Sequence, residues 1–514
     1  MLSETLLQKP KLAFAGFCLV WVIVAFLHLR FWSMPWMDTY CYASPAAAAS
    51  HPFVLHLPFL GSFMGADHAW GLHWPGGPLF LSLLLPQAFS AAWLIAVYVF
   101  LWLLCGLACA LLAFQLSRSY WVAFISLAVI LLDRSALGIA GGGRHEFLTA
   151  IFTILPLICV LSEDRKTSVP ARTFLALSLF LLPLLHPMGV GIGVVYVLSA
   201  ILMLPDKLRN STDNKKQYLL FLICFPYVLG LSILVGWFAL QPDVWRQFQA
   251  HAKEASGGVK PFEIYWKAAT QFYYPFSTGT LIYVIALVSS FGVFLQCAKA
   301  LFLKMHFPLL KIWFPHMVFL MTFGGMSFMA NAYYLFISLP VATALSVAFV
   351  ANFLSTHSHL ISARVVALTA LLFLLFHGAF LVSRSIKVAS AGFPDLRNEA
   401  RQFYDSLPST HLKLIPISLW EVALENRDQA MLNTQGFAAN DINRIDYESY
   451  AWGELQHPDD IVIIDHLQTV QVSPIRVPSI DEGWEMIAEK KSIMPSSKPW
   501  GFHYQAWRRK PDAH

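Results

Sequence analysis

From position 12 to position 383 the chain is a succession of apolar runs, many of about twenty residues, the length that carries an α-helix across bilayer hydrocarbon. A backbone in lipid must satisfy its own hydrogen bonds, so such runs are read as spanning helices. They fall at 12–30, 91–117, 119–137, 146–162, 173–186, 188–205, 218–240, 276–298, 312–330, 335–355 and 365–383. The 173–205 stretch exceeds one span and is split at His186-Pro187, where proline removes a helix donor. The piece 79–89 is too short to cross and reads as a surface helix. The chain is 57% hydrophobic and only 13% charged, against about 25% in soluble domains. A soluble protein is excluded. The fold class is a polytopic α-helical membrane protein of about eleven transmembrane helices with a C-terminal soluble α/β domain.

Lys9 and Lys11 precede the first run, and no small-residue cleavage site follows it, so the run reads as an uncleaved anchor. With the N-terminus cytoplasmic, the inside loops carry Arg118, Arg165, Lys166, Arg172, Lys207, Arg209, Lys215, Lys216, Lys299, Lys304, Lys311 and Arg364, while the outside loops are poorer in Lys and Arg, as the positive-inside rule requires. The first loop (31–90) and everything after 384 then lie on the extracytoplasmic side. This is the topology of a multi-pass protein of a bacterial inner (plasma) membrane. Six of the seven cysteines fall in or beside apolar runs, and no disulfide scaffold is expected.

Beyond about Arg384 charges become frequent and apolar runs shorten. Asp395 to Leu407 fits an amphipathic helix; Leu412–Ile417, Ile461–Asp465 and Phe502–Arg508 fit strands. The division is a membrane domain over 1–383 and an extracytoplasmic α/β domain over 384–514, the latter read as a lid or docking module. No glycine-rich phosphate loop, metal-type Cys/His spacing or nucleic-acid motif is present.

The chemistry-bearing residues gather in outer loops. Asp38 follows the first span between Trp36 and Tyr40, and the same loop holds Asp67 and His73. A carboxylate in such a semi-apolar setting can work as a base near neutrality; Asp38 can equally cap a turn starting at Thr39. Asp133-Arg134 and Gly141-Gly142-Gly143-Arg144-His145-Glu146 come next. The glycines permit positive φ and close backbone approach, Arg144 can bind phosphate in a forked geometry, and Glu146 suits a helix start. His186, before Pro187, can donate to phosphate or cap helix ends. Tyr333 and Tyr334 enter the tenth span, where tyrosine also serves as an interfacial anchor. The 241–275 loop reads as mobile.

This order of features resembles the GT-C superfamily of membrane glycosyltransferases, in particular its protein O-mannosyltransferase and aminoarabinose transferase-like branch. The resemblance rests on Asp38-Thr39-Tyr40-Cys41-Tyr42 after span one, His73-Trp74-Pro75-Gly76-Gly77-Pro78-Leu79 before span two, Arg144-His145-Glu146-Phe147-Leu148, Leu185-His186-Pro187-Met188-Gly189, and Tyr333-Tyr334-Leu335 with Pro340. It implies a polyprenyl-phosphate-linked sugar donor, a lipid, glycan or protein acceptor, and an inverting displacement with Asp38 as general base. Arg144 would hold donor phosphate or order its loop, and Glu146 would orient it. Tyr40, Asp67, His73, His186, Tyr333 and Tyr334 complete the implied binding set. Thr39 stands where many members carry a second acid, and His186 where some carry lysine. No metal triad is visible, so neither a metal nor another cofactor is expected. The competing reading is a multi-pass transporter or flippase of a lipid-linked or small polar substrate. Such proteins place polar groups at midplane in broken, repeated helices, a pattern this sequence lacks.

Overall fold

The structure, a computed structural model, describes residues 10–32, 37–49, 55–71, 74–85, 89–141, 143–161, 169–208, 213–255, 278–302, 310–325, 332–356, 378–379, 382–383, 386, 395–435, 444–469, 476–494 and 500–510. Its helices are α1 (Pro10–Trp32), α2 (Met37–Ala48), α3 (Gly76–Leu84), α4 (Ala91–Ser117), α5 (Tyr120–Leu131), α6 (Arg134–Gly141), α7 (Glu146–Leu161), α8 (Val169–Leu185), α9 (Pro187–Leu208), α10 (Asp213–Leu240), α11 (Pro242–Ala255), α12 (Thr278–Phe302), α13 (Leu310–Gly325) and α14 (Leu339–Thr356); most follow the apolar runs, but the run expected at 119–137 is broken before Asp133 into α5 and α6. Among the described residues, four stretches are long and apolar enough to cross a membrane: Leu12–Arg30, Ala91–Ser117, Phe221–Leu240 and Leu339–Thr356. Shorter apolar helices cover Tyr120–Leu131, Glu146–Cys159, Arg172–Leu185, Pro187–Leu198 and Leu281–Gln296. The run expected at 365–383 lies largely outside the described residues.

The long helix α4 is the centre of the bundle, packed on α1, α5, α7 and α14. Helix ends inside a bundle leave carbonyls that no water reaches, and here indoles supply the donors. Trp21 Nε1 donates to Leu131 O at 2.6 Å and Trp102 Nε1 to Ile130 O at 2.9 Å. The two rings meet edge to face, 4.7 Å apart. They fix the end of α5 just before the Asp133–Glu146 connection.

Two segments expected as loop are helical. Helix α2 forms inside the first loop despite Pro45, and Thr39 to Ala46 are buried. Helix α11 runs through the start of the 241–275 segment, whose remainder lies outside the described residues. Pro242 opens it and Asp243 sits in its first turn, both favoured at a helix start.

The C-terminal part is an α/β unit of one five-stranded sheet. Helix α15 (Leu396–Asp405) is capped by Asp395, whose side chain accepts from Asn398 N–H. Strands β1 (Lys413–Ile415), β2 (Ala430–Leu432), β3 (Ile461–Asp465), β4 (Trp484–Met494) and β5 (Trp500–Arg509) follow, with α16 (Trp420–Asn426) and α17 (Arg444–Gly453) between them. Sheet order is β2-β1-β3-β5-β4, with β2, β1 and β3 parallel and β5 antiparallel to both neighbours. Three strands coincide with sequence expectations. Strand β2 lies between Asp428-Gln429 and Asn433 with no longer apolar run around it, and β4 alternates too weakly.

Candidate active site where four loops meet

Helix α6 ends in a Schellman motif: Arg144 N–H bonds Ile139 O at 3.1 Å and Gly143 N–H bonds Ala140 O at 3.3 Å. The motif needs a left-handed residue, and Gly143 has φ +63°. A β-carbon there would stand 2.8 Å from Thr39 Cγ2, so glycine also permits the first turn of α2 to seat on this loop. Tyr98 of α4 donates its hydroxyl to the Gly143 carbonyl. Asp38 is the second residue of α2, one position before Thr39.

The chain then turns into α7, with His145 O accepting from Leu148 N–H at 3.0 Å and from Thr149 N–H at 3.3 Å. Arg144 is buried and so is Glu146. Glu146 Oε1 accepts from Arg144 Nε at 2.9 Å and lies 2.7 Å from Nη2. One ion pair of the guanidinium is thus made within the loop itself. Glu146 Oε2 has no hydrogen-bond partner among the described residues. The Tyr42 ring covers both neighbours, 4.4 Å from the His145 ring and 5.6 Å from Arg144 Cζ.

The third loop arrives through Gly76 and Gly77. A β-carbon on Gly77 would lie 3.0 Å from His145 Cβ, and one on Gly76 would lie 2.7 Å from the Leu184 carbonyl. Trp74 Nε1 donates to Pro183 O at 2.7 Å, tying this loop to the fourth. There His186, buried between α8 and α9, accepts from Met188 N–H through Nδ1 at 3.1 Å, which puts the proton of its neutral ring on Nε2. Its ring centre is 5.5 Å from that of His145.

The structure thus brings the Asp38-Thr39 turn, the Gly76-Gly77 turn, the Arg144–Glu146 loop and His186 together. Tyr40 is fully buried and donates its hydroxyl to Pro58 O at 2.5 Å, bracing the first loop. Asp67 is exposed and sits on a separate bridge: His68 Nδ1 meets Asp67 at 2.8 Å and Nε2 meets Asp243 of α11 at 3.1 Å. These two carboxylates raise the His68 pKa above its ordinary value. Buried Gln247 joins the same elements, accepting from Gly71 N–H at 2.7 Å and donating to Met64 O at 3.1 Å and Ala69 O at 3.3 Å. His73 lies outside the described residues, as do the side chains of Asp38, Tyr333 and Tyr334. Among the described residues, no group of three or more His, Cys, Asp or Glu could hold a metal ion. His145 and Tyr42 were quoted within motifs but not assigned a role, and Tyr98 was hidden within an apolar span, where nothing marks a tyrosine as a loop brace.

No family model and no curated protein matches the sequence. Solved structures do match. ArnT from Cupriavidus metallidurans bound to undecaprenyl phosphate is 13% identical, with a TM-score of 0.53, over 96% of this chain and 97% of that one. The apo state of that ArnT is 14% identical, with a TM-score of 0.52, over 96% and 98%. The oligosaccharyltransferase from Archaeoglobus fulgidus, in a complex with zinc and sulfate, is 12% identical, with a TM-score of 0.47, over 88% of this chain and 68% of that one. Over 96% of its length, this chain shares the fold of that ArnT.

Proposed function

We propose that the protein is a glycosyltransferase that moves a sugar from a polyprenyl-phosphate donor to an acceptor at the extracytoplasmic membrane face. The reaction is an inverting displacement in which Asp38 removes the acceptor proton while the lipid phosphate leaves. The observation that carries this reading is the convergence of four sequence-distant loops on one polar cluster, with Thr39 packed on Gly143 and His145 beside both Gly77 and His186. Such a cluster is expensive in an apolar protein and points to function. The likeness in fold to an ArnT whose structure holds undecaprenyl phosphate supports a lipid-phosphate partner.

Within this reading Arg144 and Glu146 order the loop, because each is the other's counter-ion. Tyr40 and Asp67 hold the first loop in shape through Pro58 and His68. His186, His73, Tyr333 and Tyr334 remain the groups assigned to the donor. The division at 383/384, with the α/β unit on the extracytoplasmic side, is part of the same proposal.

The test is Asp38→Asn, assayed by sugar transfer from a lipid-linked donor in proteoliposomes. Loss of a general base lowers turnover by about 10²–10⁴-fold. Turnover equal to wild type removes Asp38 from the mechanism.

A further inference from the structure

The α/β unit is fastened to the first loop at both ends and in the middle. At the near end, Arg397 of α15 donates from Nη1 to Leu29 O at 3.0 Å. Leu29 lies in the last turn of α1, where carbonyls lack helical partners and the helix dipole is negative. The guanidinium is held in place by Glu421 of α16, its Nε donating to Oε2 at 3.1 Å. Arg30 and Asp395 pair beside it at 3.5 Å.

At the far end the charges reverse. Ala91 is the first residue of α4, and its N-cap Ser90 makes no side-chain bond to the helix. Instead Glu425 of α16 accepts from Ala91 N–H at 2.8 Å, placing a carboxylate on the positive end of that dipole. Arg401 of α15 pairs with the other oxygen of Glu425.

In the middle, Leu432 N–H at the end of β2 donates to Phe59 O at 2.7 Å, and Tyr447 of α17 donates its hydroxyl to Leu432 O at 2.7 Å with Phe59 O 3.2 Å away. Phe59 has φ +67°, a conformation a bulky residue keeps only when its surroundings impose it. Tyr450 meets Ser62 N–H and Oγ at 3.2 Å each. Trp420 is buried against Tyr40 of α2 and Phe89, with ring centres 6.3 and 5.5 Å away.

We infer that the α/β unit is a clamp that sets the shape of the first loop, and through α2 the position of Asp38, with Arg397, Glu425 and Tyr450 as its positioning residues. This assigns the unit a fixed, geometric task in place of a lid. The catalytic half of the inference rests on the glycosyltransferase reading; the structural half does not.

The test uses full-length protein in nanodiscs. Hydrogen exchange is followed over 55–71, alongside donor-dependent turnover, for Arg397→Ala/Glu425→Ala and for the milder Tyr450→Phe, which keeps the ring. Both variants are expected to raise exchange over 55–71 by about tenfold or more, leave α4–α5 peptides beyond residue 98 as in wild type, and lower kcat while donor KM stays unchanged. Should the double variant fail to fold, Tyr450→Phe gives the same two readouts alone. Exchange at the wild-type rate overturns the clamp. Faster exchange with unchanged kcat overturns its link to Asp38. A wild-type protein that transfers no sugar defeats the glycosyltransferase reading, and the exchange measurement still decides the clamp.

Discussion

The Arg144–Glu146 pair shows how a single residue's neighbour decides its job. Its two side chains are 2% and 0% exposed, so neither charge is relieved by solvent. Removing one member of a buried ion pair costs about 3–5 kcal/mol. Glu146→Ala is therefore expected to depress the thermal midpoint sharply in detergent. The double change Arg144→Met with Glu146→Leu, which removes both charges and keeps volume, is expected to regain most of that loss. Fluorescence-detected unfolding of these two variants and the wild type checks this; a double variant no more stable than Glu146→Ala rules out the pair as a unit. Both residues were visible in the sequence, but their mutual neutralisation was not. They are two positions apart across a helix start, where no face is defined until Gly143 turns the backbone left-handed. The seating of Thr39, next to Asp38, on Gly143 likewise needed the fold.

Among the elements, α11 was the least legible. Its sequence mixes Trp245, Arg246 and Gln247, and reads as a solvated loop until the first loop supplies Gly71, Met64 and Ala69 as partners for Gln247. The second tie between these elements is expected to weaken as pH rises. His68 bridges Asp67 and Asp243, and its folded pKa is raised first by the hydrogen bond to Asp67 and then by that to Asp243. A base with a raised folded pKa contributes its full stabilisation below the unfolded value of about 6.5 and loses it as pH rises through the folded value. Corrected for intrinsic exchange rates, protection over 64–71 is expected to fall between pH 6 and pH 8.5 in wild type and to be flat in His68→Gln. A wild-type profile without slope sets the bridge aside. Helix α2 was missed for a different reason. Pro45 and the alanine run after it carry no apolar period, and burial against Tyr40's neighbours makes the helix.

For the molecule as a whole, the membrane-spanning pattern and the compositional break near 384 were plain in the sequence, because apolar length and charge density are local quantities. Strands β1, β3 and β5 were plain for the same reason. What joins the two parts was not, since each tie links residues far apart: Glu425 to Ala91, Arg397 to Leu29 and Tyr450 to Ser62 are separated by 334, 368 and 388 positions. No periodicity reports such a pairing. A chain stopped before Asp395 lacks every one of these ties. Its 55–71 segment is expected to be cut by added protease far faster than in the intact protein, while the α4–α5 hairpin resists equally in both. Equal cleavage of the two chains would mean the segment holds itself.

The separation of those partners has a temporal meaning during biosynthesis. Phe59 leaves the ribosome long before Leu432 exists, so its carbonyl meets the β2 amide only late in translation. Insertion of the early helices and maturation of the loop between them are thus separate events, and these ties close only when the α/β unit has folded back onto the first loop.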